Sequence, residues 1–378
     1  MTSRELSDAH RAALEKHGFD AARLERHRAA LRAKSLGKAG NVVPGRLLPP
    51  PPGTIAGLPR AGTPDADRAA ALGKAAIARG ELGVVVLNGG MATRFGGVVK
   101  GVVPVLGDAR SFLALKLEDL RAAERRCNGR IPVFLMNSFA TDTATKAHFA
   151  KHRNFDHPAD QVTHFEQFVS IRLTREGDLV YEADGQPARY GPGHGDFAEA
   201  LRRSGCLAAF LARGGKHLFV SNVDNLGARV DEIVLGHHIE KGKDVTVEVA
   251  PKWKGDVGGS PYLVESARPP ESQVQLVEQI RYPDGFDPDI VEVFNTNTFH
   301  FRAAALDAEF PLGYYYVEKS ARGQTVVQME RLIGEMTRFL SCNFVQVERT
   351  GDKNRFFPVK APEDLEQARA EIARLYGR

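Results

Sequence analysis

The residues with the plainest chemical use lie between Gly83 and Val105, in the run Gly-Val-Val-Val-Leu-Asn-Gly-Gly-Met-Ala-Thr-Arg-Phe-Gly-Gly-Val-Val-Lys-Gly-Val-Val-Pro-Val. Val84 to Leu87 form an apolar stretch of buried-strand length, and Asn88, Gly89 and Gly90 end it. Glycines at a strand end let the backbone approach a ligand with no Cβ in the way, and backbone N–H groups in such a loop bind phosphate oxygens. Gly96 and Gly97 add a second pliant point, and Lys100 adds a mobile positive charge. A strand, a glycine-rich bend and a following lysine suit a nucleoside triphosphate. The pattern is neither G-x-x-x-x-G-K-[ST] nor G-x-G-x-x-G, because Gly89 and Gly90 are adjacent and Ala92 stands where a further glycine would fall.

Four more clusters carry usable chemistry. Tyr190-Gly-Pro-Gly-His194-Gly195-Asp196 is a tight loop opening a helix, where anions are attracted. Phe219-Val-Ser-Asn-Val-Asp224-Asn225-Leu-Gly places a carboxylate at a strand end, and Mg²⁺ takes one or two carboxylates together with phosphate oxygens. Phe294-Asn-Thr-Asn297-Thr supplies amides, which both donate and accept and so suit sugar hydroxyls. Arg355-Phe-Phe-Pro-Val-Lys360 brings a lysine to a helix start. Taken singly, each also fits a plainer role: a turn histidine, a helix cap, a polar turn, a solvated lysine.

Together these segments resemble the UTP–glucose-1-phosphate uridylyltransferase family. Leu87-Asn88-Gly89-Gly90-Met-Ala-Thr resembles its nucleotide loop, and Val99-Lys100-Gly-Val-Val-Pro its loop-closing lysine segment. Ala92 replaces a usual glycine and Val99 a usual proline. The loop around His194 resembles Pro-Pro-Gly-His-Gly-Asp, and Asn222-Val-Asp224-Asn225-Leu-Gly resembles the family's metal segment. Phe165-Glu-Gln167, Leu135 to Asp142, Asp256-Val-Gly-Gly259 with Leu276-Val-Glu278, the Asn297 segment and the Lys360 segment are similar to family segments in the same order.

That resemblance implies formation of UDP-glucose and pyrophosphate from UTP and glucose 1-phosphate, with Mg²⁺ as cofactor. It implies Lys100 and Lys360 as catalytic cations and Asp224 as the metal ligand. Asn88, Gly89, Gly90, Gln167 and Gly195 are the expected nucleotide contacts. His194, Asn225, Gly259, Glu278 and Asn297 are the expected sugar contacts, Asn225 also serving to position Asp224. His194-Gly195-Asp196 points to the glucose branch, since the N-acetylglucosamine enzymes carry Asn-Gly-Asn-Gly there. Another hexose and a non-catalytic UDP-sugar binder stay open. A nucleotide-sugar glycosyltransferase would usually show an Asp-x-Asp motif, which Asn222-Val-Asp224 lacks.

The elements that must hold these residues follow from pattern. Apolar strands at Val84–Leu87, Ile131–Met136, His217–Val220 and Val245–Val249 alternate with helices at Ser111–Arg126, Thr141–Lys151, Asp196–Arg213 and Val230–Lys241, the pattern of a mostly parallel, doubly flanked α/β sheet. Ligands in such sheets bind beyond the carboxyl ends of the strands. The fold implied by the resemblance is a Rossmann-like, GT-A-like mixed sheet flanked by helices, with a β-rich sugar lobe over 255–301 and a helical N-terminal arm. Residues 1–66 are expected to form that arm and a proline-rich strap, with two helices broken at Gly18. Residues 67–350 are the expected catalytic domain. Residues 351–378 carry the lysine segment and a helix from Pro362 to Tyr376. Ser170–Gln186 reads as a hairpin insert turning at Glu176-Gly-Asp178. Family members usually continue into a C-terminal β-helix domain; this sequence stops 18 residues after Lys360, so oligomer contacts made there do not carry over.

Bulk properties agree with such an enzyme. A chain of 378 residues, 43% hydrophobic and 26% charged, can bury a large core. A net charge of +4 without a basic tract argues against a nucleic-acid partner, and no apolar run reaches membrane-spanning length. Cys127, Cys206 and Cys342 suggest neither a metal site nor a disulfide framework, and Met-Thr-Ser-Arg-Glu-Leu opens no signal peptide, so a cytoplasmic location is expected.

Overall fold

The computed structural model describes residues 5–92, 97–107, 110–265, 272–321 and 323–377, without the side chains of Met91 and Ala92. Thr93 and Gly96 of the glycine-rich run therefore lie outside the described residues, as does the effect of the Ala92 side chain.

An eight-stranded mixed sheet forms the centre. Its order is Ile55–Gly57, Cys342–Gln346, Val245–Pro251, Val293–Arg302, His217–Asn222, Leu82–Leu87, Val133–Asn137, Val162–Glu166. All neighbours are parallel except Val293–Arg302, which runs antiparallel to both flanking strands. The inner strands are buried on both faces, which is why Leu82–Leu87 and Val133–Asn137 read as unbroken runs rather than alternating ones. One apolar cluster packs Phe210, Phe299 and Phe301 on one face, and another packs Phe112, Leu113 and Ile372 on the other.

The helices fall close to their expected places at Phe112–Cys127, Asp142–Lys151, Glu232–Lys241 and Pro362–Tyr376. The single helix expected over 196–213 is instead two, Phe197–Arg203 and Cys206–Ala212, because Gly205 takes a left-handed backbone at φ +76°. The proline-rich stretch is an ordered strap. Arg46–Leu48 joins the sheet of Ser260–Glu265 and Gln273–Val277, and Ile55–Gly57 becomes the edge strand of the main sheet. The β-rich lobe is thus smaller than expected, since Val293–Arg302 belongs to the core. No helix among the described residues is long and apolar enough to cross a membrane.

One irregularity matters for the site. Glu248 pairs with Thr298 but Val249 pairs with Asn295, so Thr296 and Asn297 bulge out of the ladder. Asn297 sits there with φ +54°, a left-handed conformation that asparagine tolerates better than most residues.

Candidate active site

The parallel strands release their chains at one end of the sheet, and a cavity of about 500 Å³ opens there. Gly89, Gly90, Lys100, Gln167, His194 and Asp224 line it, so six of the residues singled out from sequence meet across more than 130 positions of chain. Gln167 follows the strand Val162–Glu166 directly, its N–H bonded to the Asn137 carbonyl at 2.8 Å. Its amide is packed between two glycines. A Cβ on Gly89 would lie 2.8 Å from that amide, and one on Gly191 would lie 2.0 Å from Nε2. The two glycines leave room for this polar side chain at the cavity wall.

His194 stands on the loop that Gly193 turns with φ +113°. Its Nδ1 accepts the Ile333 N–H at 2.9 Å, so the ring proton is on Nε2. Burial pulls its pKa down to about 4, and the ring is a neutral donor at pH 7. Lys100 opens a short turn after Val98–Val99, and its Nζ donates to Asp224 Oδ2 at 2.8 Å. Asp224 itself is pinned through its backbone: the Val359 N–H donates to its carbonyl at 3.1 Å, and Asn225 bridges to Pro358.

A model of the UTP–glucose-1-phosphate uridylyltransferase family matches residues 64–376. The chain belongs to that family. The uridylyltransferases of Saccharomyces cerevisiae and Hordeum vulgare are each 31% identical to it, over 78% and 75% of this chain. The chain spans about three fifths of the length of these relatives, 60% and 61%. Among solved structures, a UDP-glucose phosphorylase of Trypanosoma brucei superposes with TM-score 0.73 at 26% identity, covering 96% of this chain and 79% of that one. A uridine diphosphate N-acetylglucosamine pyrophosphorylase of the same organism superposes at 0.77 with 18% identity over 96% and 79% of the chains, a likeness of fold.

Several residues expected at the ligand sit elsewhere in this uridylyltransferase-family chain. The Asn88 side chain is fully buried and turned into the protein, donating to Asn137 Oδ1 and Thr145 Oγ1 at 2.9 Å each. It braces the bend instead of lining the cavity. Gly195 lies under the Arg331 backbone, where a Cβ would meet the Arg331 carbonyl carbon at 2.5 Å. The Asn225 amide is also spent inside. Its Oδ1 accepts from Phe357 N and Gly227 N at 2.8 and 3.2 Å, and its Nδ2 donates to the Arg355 carbonyl at 3.2 Å. That geometry suits the positioning of Asp224 and does not suit contact with a sugar. Lys360 is exposed and does not line the cavity; its backbone N–H donates to Asp364 Oδ2 at 2.9 Å. Burial opposes the charge of the Asp256 carboxyl and Arg349 chiefly holds its pKa down; the Lys360 charge is the smallest of the influences on it.

The expected hexose residues form a chain that ends at the cavity. Glu278 accepts from Gly259 N at 3.2 Å and from Asn295 Nδ2 at 3.1 Å. Asn295 Oδ1 accepts from Asn297 N, and Asn297 Nδ2 donates to Asn222 Oδ1 at 2.8 Å, with Asn222 on the cavity wall. Asn297 Oδ1 is buried without a partner. Burial raises the Glu278 pKa.

Three basic residues escaped the sequence reading. Arg172 and Arg189 come from the insert after Val169 and line the cavity, Arg189 lying over the Phe139 ring at 4.6 Å and Arg172 Nε having no partner. Their only signal is a pair of cations on facing strands of an insert. Lys116 is buried under the Asp224 loop, donating to the Asn225 and Ala228 carbonyls at 2.7 Å each and to Ser221 Oγ at 3.2 Å. Burial pushes its pKa down to about 7.

For a divalent ion the donor set is sparse but of the right kind. Among the described residues no group of three or more His, Cys, Asp or Glu is placed to hold a metal, and Asp224 is the one carboxylate among the described residues of the cavity wall. A lysine ammonium already stands against that carboxylate. Asp224 thus holds a cation at the cavity wall, as Mg²⁺ would require when substrate phosphates complete its shell.

Proposed function

We propose that this chain is a uridylyltransferase joining UTP to glucose 1-phosphate. The observation that carries the reading is the convergence of Gly89, Gly90, Gln167, His194, Lys100 and Asp224 on one cavity at the strand ends. In the reaction, an oxygen of the sugar phosphate attacks the α-phosphorus of UTP. The bond from that phosphorus to the bridging oxygen breaks, and pyrophosphate leaves with the electron pair. The sugar phosphate is ionised at neutral pH, so no general base is needed; positioning and charge neutralisation supply the catalysis.

Gln167 pairs with the uracil, its amide matching a carbonyl and an N3–H. The Gly89–Gly90 backbone and Lys100 hold the triphosphate, helped by Arg172 and Arg189. Neutral His194 donates from Nε2 to a phosphate oxygen of the sugar phosphate, and the Gly195 backbone keeps that loop in place. The Gly259, Glu278 and Asn297 chain receives the hexose hydroxyls. Asp224 would hold Mg²⁺, which would supply charge neutralisation at the phosphate oxygens. Lys360, exposed outside the cavity, would serve the sugar phosphate only by turning inward on the segment tied to Asp224. The His194-Gly195-Asp196 pattern supports glucose over N-acetylglucosamine.

A coupled pyrophosphate assay with UTP and a panel of glucose, galactose and N-acetylglucosamine 1-phosphates tests this. Release is expected only with UTP and a sugar 1-phosphate both present, and fastest with glucose 1-phosphate. No release with any sugar rejects the reading. Lys360→Ala should lower the rate by about 10²–10³ with an unchanged thermal midpoint; near-normal turnover removes Lys360 from the mechanism.

A further inference from the structure

A second cavity, of about 520 Å³, lies behind the His194 loop. Gly195 belongs to its wall, whereas Gly193 and His194 face the first cavity. Four arginines line it, Arg23, Arg202, Arg203 and Arg331, against two carboxylates, Glu199 and Glu309. Glu199 is already engaged by Arg331 at 2.9 Å and by Arg203 at 2.8 Å, and Arg331 also holds Asp196 at 3.1 Å. Asp20 pairs with Arg23 at 3.3 Å, so with Asp196 the four guanidinium groups are matched by four carboxylates.

The donors tell more than the charge. Arg331 is 5% exposed, yet its Nε–H has no partner. Arg202 Nε and the Tyr314 hydroxyl are likewise buried and unpartnered. Burial pushes the Tyr314 phenol up to about 12, so its O–H remains a donor. The Tyr314 ring is held between the guanidinium groups of Arg23 and Arg331, at 5.0 and 5.2 Å from its centroid. Three buried donors without acceptors around one cavity are costly unless a guest supplies lone pairs. Arginine forks match the oxygens of phosphate.

We propose that this cavity is a second site, which binds a compact oxyanion of the phosphate class, either free phosphate or the phosphate end of a monoester. Arg202 Nε, Arg331 Nε and Tyr314 Oη donate to its oxygens, and Arg23 closes one side. Arg23 belongs to the helix Ala21–Arg32, which precedes the first residue matched by the family model. This gives the N-terminal arm a binding role beyond packing.

Isothermal titration of the full chain with inorganic phosphate, and separately with glycerol phosphate, at constant ionic strength tests the site. A saturable isotherm is expected that survives Lys100→Ala, weakens tenfold or more in Arg202→Ala and weakens also in Tyr314→Phe. The tighter of the two ligands identifies the source. No saturable binding of either, or binding lost in Lys100→Ala and kept in Arg202→Ala, overturns the proposal. UTP plays no part in this measurement, so its outcome is independent of the catalytic reading.

Discussion

Lys100 and Asp224 sit in contact although 124 positions separate them in the chain. In the proposed reaction Lys100 would face the phosphates from the same wall as the carboxylate, its ammonium meeting the charge of the transferring group. Lys100→Ala should cut pyrophosphate release by about 10²–10³ while circular dichroism stays that of the parent. Gly191 is a subtler case, because it contributes an absence. A methyl there would collide with Gln167 Nε2 at 2.0 Å and turn the amide from the cavity. Gly191→Ala should raise the KM for UTP tenfold or more, with a smaller change in kcat, in initial-rate kinetics. An unchanged KM would show that Gln167 does not read the base.

Among the elements, the C-terminal segment does more than trail the sheet. Residues 355–359 are laced to the loop that carries Asp224 by the Asn225 amide, by the Leu226 N–H to the Phe357 carbonyl and by the Val359 N–H to the Asp224 carbonyl. Arg355 anchors the start of the segment, its guanidinium forked onto Glu248 at 2.6 and 2.7 Å. Burial opposes the Glu248 charge, but Arg355 and His300 outweigh it and hold the carboxyl at about 2. Asn225→Ala leaves the Phe357 and Gly227 N–H groups without their buried acceptor. It should cost about 2–4 kcal/mol in urea unfolding, and it should lower kcat by loosening the tether to Lys360. A stability loss with full activity would separate Lys360 from that tether.

At the scale of the molecule, the sheet and the helix Glu232–Lys241 enclose a group of histidines. His238 lies with its ring 5.2 Å from that of His217 and 6.0 Å from that of His300, and its Nδ1 bonds Thr246 at 2.9 Å. Burial, reinforced by neighbouring charges, holds the His238 pKa well below its ordinary value; burial is also the largest influence holding His217 at about 4. In the unfolded chain both titrate near 6.5, so below that pH the unfolded state takes up protons that the folded state refuses. The stability these neutral rings allow is present above pH ~6.5 and is lost as pH falls towards 4. Between pH 7 and pH 5 the loss should be about 2 kcal/mol for each histidine kept neutral. Urea midpoints across that range check this, and a flat profile would show the cluster to be solvated.

The amino-acid sequence by itself determined the α/β sheet, most helix limits and the short segments that meet at the cavity. These are local matters: apolar run length and glycine at a bend, as at Leu82–Leu87 and the Gly89-Gly90 pair that follows it. Tertiary structure decided which face each side chain took. Asn88 and Asn225 stand in polar runs that look ligand-facing, yet burial required their amides to satisfy backbone and neighbouring side chains. The bulge that turns out Asn297 arises from the pairing of two strands, and Arg172, Arg189 and Lys116 gain their places only when distant segments close over them. Pattern along a chain records propensity and period; a side chain's partner across the fold depends on packing, which no local window contains.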